Sequence, residues 1–308
     1  MTDGFLGIDT SNYSTSAAYI GDEVRSAVKL LPVKKGEGGI RQSDAVFHHT
    51  KQLPSQVAQV CGGRIAAVGV SCKPREAEGS YMPCFLTGEC AADVIGSASA
   101  VPVYKTSHQV GHIMAALYSA GRTELVDEPF IAFHVSGGTT DSLYCEPDKD
   151  RLIRVKDIGT SLDLYAGQLV DRAGLMLGLD FPCGIELERL AQGADKRLKA
   201  RPVVRGFDVS MSGFENQARK LYDGGESREN TALFVLDAVL CSVTAMTRAA
   251  RERYGELPVV YAGGVMSDKI IKDGLTELGN VYFAEPALSR DNAVGIALYA
   301  KMMYEKRC

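Results

Sequence analysis

The stretch Phe130-Ile131-Ala132-Phe133-His134-Val135-Ser136-Gly137-Gly138-Thr139-Thr140-Asp141-Ser142-Leu143-Tyr144-Cys145 decides how the chain is divided. It reads as an apolar strand, a hydroxyl- and glycine-rich tip, and an apolar return strand. The same layout stands near the start: strand Phe5-Leu6-Gly7-Ile8, polar tip Asp9-Thr10-Ser11-Asn12-Tyr13-Ser14, and return strand Thr15 to Ile20. A strand–tip–strand unit that occurs once in each half implies an internal duplication of domains. Tips of this composition can offer backbone N–H groups and hydroxyls to phosphate, and paired glycines let the backbone approach a ligand closely. Either tip, taken alone, reads as well as an ordinary polar turn.

Between the hairpins lies Lys105-Thr106-Ser107-His108-Gln109-Val110-Gly111-His112. It follows the short strand Val101 to Tyr104 and precedes a helix-compatible run, Ile113 to Ser119. Residues four apart on a helix share a face, so His108 and His112 can grip one metal ion. The alternative is two unrelated histidines, one capping and one half buried.

The remaining elements frame these motifs. Gly36 to Gly39 is a glycine-rich link, and Ser43 to Val60 a helix carrying the neighbours His48 and His49. Arg64 to Val70 is a strand, Ser71 to Pro83 is irregular, and Phe85 to Ala98 is a helix. Asp157 to Asp163 leads into a helix through Leu175, on which Gln168, Asp171 and Arg172 can face a cleft. Leu179 to Gly184 is a turn before a helix with Glu188, and Asn230 to Tyr254 is a long helix. The strand Leu257 to Tyr261 ends in Ala262-Gly263-Gly264-Val265 before a helix near Asp268, a geometry that suits nucleotide approach. Leu288 to Ala293 opens a terminal helix to Tyr304, with Asp291 as a ligand or as an N-cap.

Composition narrows the class. The chain has 308 residues, 45% hydrophobic and 23% charged, enough for two domains of ordinary globular make-up. Its net charge of −4 makes no global electrostatic case for nucleic-acid binding, so a local basic patch or a partner must supply it. The eight cysteines form no C-x-x-C pair, no signal peptide precedes the first strand, and no apolar run approaches membrane-spanning length. These features predict a cytoplasmic protein with reduced thiols and no membrane contact.

The motifs fall in a definite order: Gly7-Ile8-Asp9-Thr10-Ser11, His108-x-x-x-His112, Val135-Ser136-Gly137-Gly138-x-Thr140, Leu162-Asp163-x-x-Ala166-Gly167-x-x-x-Asp171, Leu177 to Pro182 with Gly184, Ser210-x-Ser212-Gly213, Ala262-Gly263-Gly264-Val265, and Asp291-Asn292-Ala293. In this order the chain resembles the TsaD family, which makes threonylcarbamoyladenosine in tRNA and was formerly labelled O-sialoglycoprotein endopeptidase. The resemblance implies an α/β, actin-like ATPase fold: two ribonuclease-H-like domains with a nucleotide and metal cleft between them. The domains would be 1–125, completed by the helix 290–308, and 126–289.

The resemblance also implies one divalent metal, Fe2+ or Zn2+, held by His108, His112 and Asp291. His134 stands where one branch of the family adds a tyrosine ligand. Nucleotide or acyl-adenylate contacts carry over onto His134, Val135, Ser136, Gly137, Gly138, Asp171, Gly184, Glu188, Gly263, Gly264 and Asp268. His108, His112, Asp9 and Ser11 become the candidate catalytic residues. The implied activity is transfer of a threonylcarbamoyl group from threonylcarbamoyl-adenylate to adenosine of tRNA. Affinity for tRNA would come through a smaller TsaB-like paralogue and a TsaE-like ATPase, and a dimer is allowed.

The departures lie around this set. The first tip lacks the family's acidic pair, having Asn12-Tyr13-Ser14. Cys72-Lys73-Pro74-Arg75 replaces a Gly-Pro-Gly loop, and Leu164, Gln168, Thr139 and Asp268 replace an aspartate, a glutamate, a histidine and an asparagine. They open a second reading, a diverged paralogue that binds nucleotide and metal with another carbamoyl-type acceptor or a regulatory role. A metallopeptidase is a third, but H-E-x-x-H chemistry needs a carboxylate where this chain has Gln109.

Overall fold

A computed structural model describes residues 3–11, 13–32, 40–285 and 292–306. The chain divides into two compact units. The first comprises Met1–Asp127, Glu146–Val155 and Ala287–Cys308; the second comprises Glu128–Cys145 and Lys156–Pro286.

In the first unit β1 (Asp3–Ser11), β2 (Ser14–Ile20) and β3 (Val24–Leu30) form an antiparallel meander. After the helix α1 (Gln42–Val60), β4 (Arg64–Lys73) joins β1 in parallel. After α2 (Phe85–Ser99), β5 (Val103–Ser107) joins β4 in parallel, giving the order β3-β2-β1-β4-β5. α3 (His108–Ser119) follows without a break. Alternate residues of β1 serve opposite faces. Leu6 and Ile8 pack with Leu53, Val60 and Ala92 of α1 and α2, each buried Leu or Ile contributing about 1.5–3 kcal/mol. Gly7 faces the other way, where a Cβ would collide with the backbone of Ala293 and Ala297 on the C-terminal helix, Asn292–Glu305.

The second unit repeats the plan. β6 (Phe130–Val135), β7 (Thr140–Asp148) and β8 (Leu152–Thr160) are neighbours in a sheet. α4 (Ala166–Met176), α5 (Gly184–Ala191), a small hairpin of β9 (Val203–Arg205) and β10 (Asp208–Ser210), α6 (Ser212–Asp223) and α7 (Arg228–Tyr254) follow. β11 (Val259–Ala262), α8 (Lys269–Thr276) and β12 (Val281–Phe283) complete the order β12-β11-β6-β7-β8, with β11 parallel to both neighbours. Counted from each unit's first strand, both sheets run third-second-first-fourth-fifth, which is the duplication the two hairpins implied. The C-terminal helix is α9.

Several boundaries differ from expectation. Asp9, Thr10 and Ser11 are not a tip: they continue β1 and pair with Ser16, Thr15 and Ser14. Asp157 to Thr160 belong to β8, and the helix behind the histidine pair starts at His108 itself. α7 is long and apolar enough to cross a membrane by length and composition, contrary to the sequence expectation. In the fold it is the second unit's core helix, packing Phe234, Val239 and Met246 with Phe133, Val135 and Tyr261. The Gly36–Gly39 link lies outside the described residues.

Candidate active site

In the first unit the candidate catalytic residues lie at the sheet's C-terminal edge. Ser107 ends β5 and caps α3, its side chain accepting from the Val110 N–H, so the helix begins at His108. One turn later His112 stands beside it, the two Nε2 atoms 3.0 Å apart. His108 Nδ1 lies 3.0 Å from Oδ1 of Asp9, which is 1% exposed. An imidazole that gives one nitrogen to a buried carboxylate has its tautomer set, with the other nitrogen's lone pair turned outward. Burial alone would push Asp9 up, but the charge of His108 and hydrogen bonds from His108, Ser71 and Ser11 outweigh it and hold the carboxyl below its ordinary range.

α9 completes this corner. Gly295 lies against the backbone of Gly111 and Ala115, so α3 and α9 cross at backbone contact. The crossing brings the Asn292 amide 2.8 Å from His108 Nδ1, while its buried Oδ1 has no partner among the described residues. Gln109, between the histidines, is tied to the preceding loop: its N–H donates to Pro74 O and its Oε1 accepts from Glu76 N. Behind β1, Thr15 joins His49 and Gln52 in a buried network.

The second unit presents backbone where the first presents side chains. Beyond Val135↔Thr140 the hairpin opens into Ser136-Gly137-Gly138-Thr139, closed by Ser136 N–H to Thr139 O and Gly138 N–H to Ser136 Oγ. α4 starts against this tip: Gly167 N–H donates to Ser136 O, and Ala166 N–H to Thr140 Oγ1. A Cβ at Gly167 would meet the Gly137 backbone, and Gly263, at φ 102°, has no room for one beside Val135. Gly137, Gly138, Gly184 and Gly264 are different, because a Cβ on any of them would enter open space. Packing does not require those four glycines, since a Cβ at any of them meets no neighbouring atom.

Asp171, on α4, accepts from the Cys183 N–H, which ties it to the start of α5 beside Gly184. Asp268 caps α8 by accepting from the Ile271 N–H. Burial and the nearby Glu188 charge push Asp268 up to about 6, despite hydrogen bonds from Ile271 and Ile270. Asp163 accepts from Leu164, Met211 and Ser212 N–H and from Ser212 Oγ, joining two of the sequence motifs. Gln168, in place of the family's glutamate, reaches back to the Tyr165 N–H at the head of α4.

Thus His108, His112, Asp9 and Ser11 come together in the first unit. His134, Val135 to Gly138, Asp171, Gly184, Glu188, Gly263, Gly264 and Asp268 belong to the second. Asp291 lies outside the described residues, and among those described no group of three or more His, Cys, Asp or Glu could hold a metal. Sequence reasoning missed Asn292 as a partner of His108, and Ser71. Near Gly184, Phe181, which the Leu177 to Pro182 motif already contains, and Ile185, which no motif singled out, are 71% and 76% exposed.

The doubled sheet order is that of an α/β protein with the actin-like ATPase fold. Component A of (R)-2-hydroxyglutaryl-CoA dehydratase from Acidaminococcus fermentans matches with a TM-score of 0.55 and 15% identity, covering 98% of this chain and 99% of that one, a likeness of fold. The model of the family TsaD, tRNA N6-adenosine threonylcarbamoyltransferase, matches residues 25–298, and the chain belongs to that family. A tRNA N6-adenosine threonylcarbamoyltransferase of Thermus thermophilus is 29% identical over 98% of this chain and 93% of its own length. A probable bifunctional tRNA threonylcarbamoyladenosine biosynthesis protein of Methanothermobacter thermautotrophicus is 26% identical over 98% of this chain, which spans 56% of that longer protein.

Proposed function

We propose that the protein transfers a threonylcarbamoyl group from threonylcarbamoyl-adenylate to the N6 amino group of an adenosine in tRNA. A bond forms between that nitrogen and the carbamoyl carbon, the bond from that carbon to the phosphate oxygen breaks, AMP leaves, and the nitrogen gives up a proton. The observation that carries the reading is the family match over residues 25–298, supported by a hairpin tip at Ser136–Thr139 whose Gly137 and Gly138 are not crowded by packing. Backbone N–H groups of the tip suit the adenylate phosphate. Asp171 and Glu188 suit ribose hydroxyls, and Phe181 and Ile185 offer an apolar face to a base. The substrate is already activated, so positioning and charge stabilisation supply most of the rate.

The chemistry of the histidine pair fits a metal: two Nε2 atoms converge, and the ring of His108 is oriented by a buried carboxylate. His108 and His112, with His134 and Asp291, would hold one Zn2+ or Fe2+. That ion would supply Lewis acidity and a template for the carbamoyl or carboxylate oxygens. Asp9 holds His108 in its ligand tautomer and keeps its own negative charge. The reading includes a cytoplasmic location, a smaller paralogue and an ATPase as partners in tRNA binding, and a dimer.

Purified protein, given threonylcarbamoyl-adenylate, tRNA and the partner subunits, is expected to form modified adenosine and AMP in equal amounts. Nucleoside analysis that shows no transfer would overturn the reading, whatever nucleotide the protein binds.

A further inference from the structure

The chain carries net charge −4, yet Lys196, Arg197, Lys199, Arg201 and Arg205 fall between Asp195 and Asp208 with no acid among them. Exposure alternates along this stretch. Arg197, Lys199, Arg201 and Val203 are exposed, whereas Leu198, Ala200 and Pro202 between them are half buried. Leu198 and Ala200 pack against the second unit's core. Where such alternation comes from an extended backbone, alternate side chains emerge about 6.6 Å apart on the solvent side. That interval is on the scale of successive phosphates along one nucleic-acid strand.

The charges are unequal in availability. Arg197 is clamped on Asp237 by two hydrogen bonds of 2.8 and 2.6 Å, and Lys196 pairs with Glu226. Lys199, Arg201 and Arg205 have no ion pair among the described residues. Arg205 sits opposite Asp208 in the β9–β10 hairpin, but Asp208 Oδ1 accepts from the Thr160 N–H. Between Arg201 and Arg205, Val203 and Val204 are 54% and 38% exposed. Cations interleaved with apolar side chains suit a backbone that carries sugars and bases better than they suit a uniformly acidic peptide.

The row also leads to the site. β10 returns through Val209, whose carbonyl accepts from the Leu162 N–H, into the loop where Asp163 holds Ser212 and α4 begins. We infer that Arg197 to Arg205 is a phosphate-tracking edge that takes the tRNA backbone and delivers it to the second unit's site. This deepens the proposed function and rests on tRNA being the substrate.

The test is tRNA binding by fluorescence anisotropy across a salt series, with partner subunits present. It compares the wild type, the triple variant Lys199→Gln/Arg201→Gln/Arg205→Gln, and a control of exposed first-unit cations, Lys29→Gln/Lys51→Gln. The triple variant is expected to bind roughly tenfold or more weakly and to flatten the slope of log K against log salt by about two to three, while the control follows the wild type. Equal slopes for all three proteins would overturn the inference, as would a wild type that binds no tRNA. Equal slopes with lost binding of a partner subunit would reassign the edge to an acidic protein. Transfer is read in parallel: a slope difference with no transfer by any protein sinks the reaction and keeps the edge, whereas transfer with equal slopes does the reverse.

Discussion

The two units share one strand order and differ in what they place at the edge of it. In the first, β1 runs three residues past its last parallel pair, Ile8↔Val70, so Asp9, Thr10 and Ser11 are strand residues with fixed side chains. In the second, β6 runs only one residue past His134↔Ala262 before the chain opens into glycine. One edge therefore presents imidazoles and a carboxylate, the other a glycine-containing turn with its backbone N–H groups. The same strand order thus ends in a side-chain carboxylate in one unit and in a glycine turn in the other.

Substitutions on each side test that contrast. The largest effect is expected at Asp9. Asp9→Asn keeps the shape but weakens the hold on His108, and a carboxylate behind a ligating histidine is worth about 10–100-fold in metal affinity or activity. Metal titration and transfer rates should fall together while adenylate affinity stays unchanged. A parallel loss of adenylate binding would erase the division of labour. Gly138→Val comes next: its side chain enters open space, so the melting temperature should hold while adenylate affinity drops about tenfold. Unchanged affinity would show that the ligand does not use this tip.

Asp268→Asn is the smallest in activity and acts on stability. In the native chain the carboxyl stays protonated to about pH 6, while the unfolded one ionises near the ordinary aspartate value of 3.8. Between those values the folded state binds the extra proton, so wild-type stability falls as pH rises, by on the order of 3 kcal/mol, and is level above pH 6. The amide of the variant would still cap α8 and would lack this fall. Denaturant unfolding of both proteins across this range checks it; matching profiles would refute the buried acid.

Both hairpins were legible because apolar runs flank them, and the histidine pair because four-residue spacing has one helical meaning. The end of β1 was not legible: hydroxyls at Thr10, Ser11 and Thr15 suggest a turn until Thr10 is seen bonded to Cys84 O and Thr15 to His49. β8 was hidden by the exposed charges Arg154, Lys156 and Asp157. Asn292 as a neighbour of His108 depends on two glycines, Gly111 and Gly295, that meet only in the folded chain. The family resemblance named Asp291 as a metal ligand, but Asp291 lies outside the described residues.

That glycine crossing also sets a timetable. His108 and Asn292 are 184 residues apart, which at ~5–20 residues per second means about 10–40 s of synthesis between them. Until α9 emerges, β1 lacks the helix that covers Gly7, and His108 lacks its amide neighbour. A nascent or truncated chain can hold a finished second unit and still have no finished histidine corner. Ribosome-bound fragments should therefore gain adenylate binding before they gain metal binding.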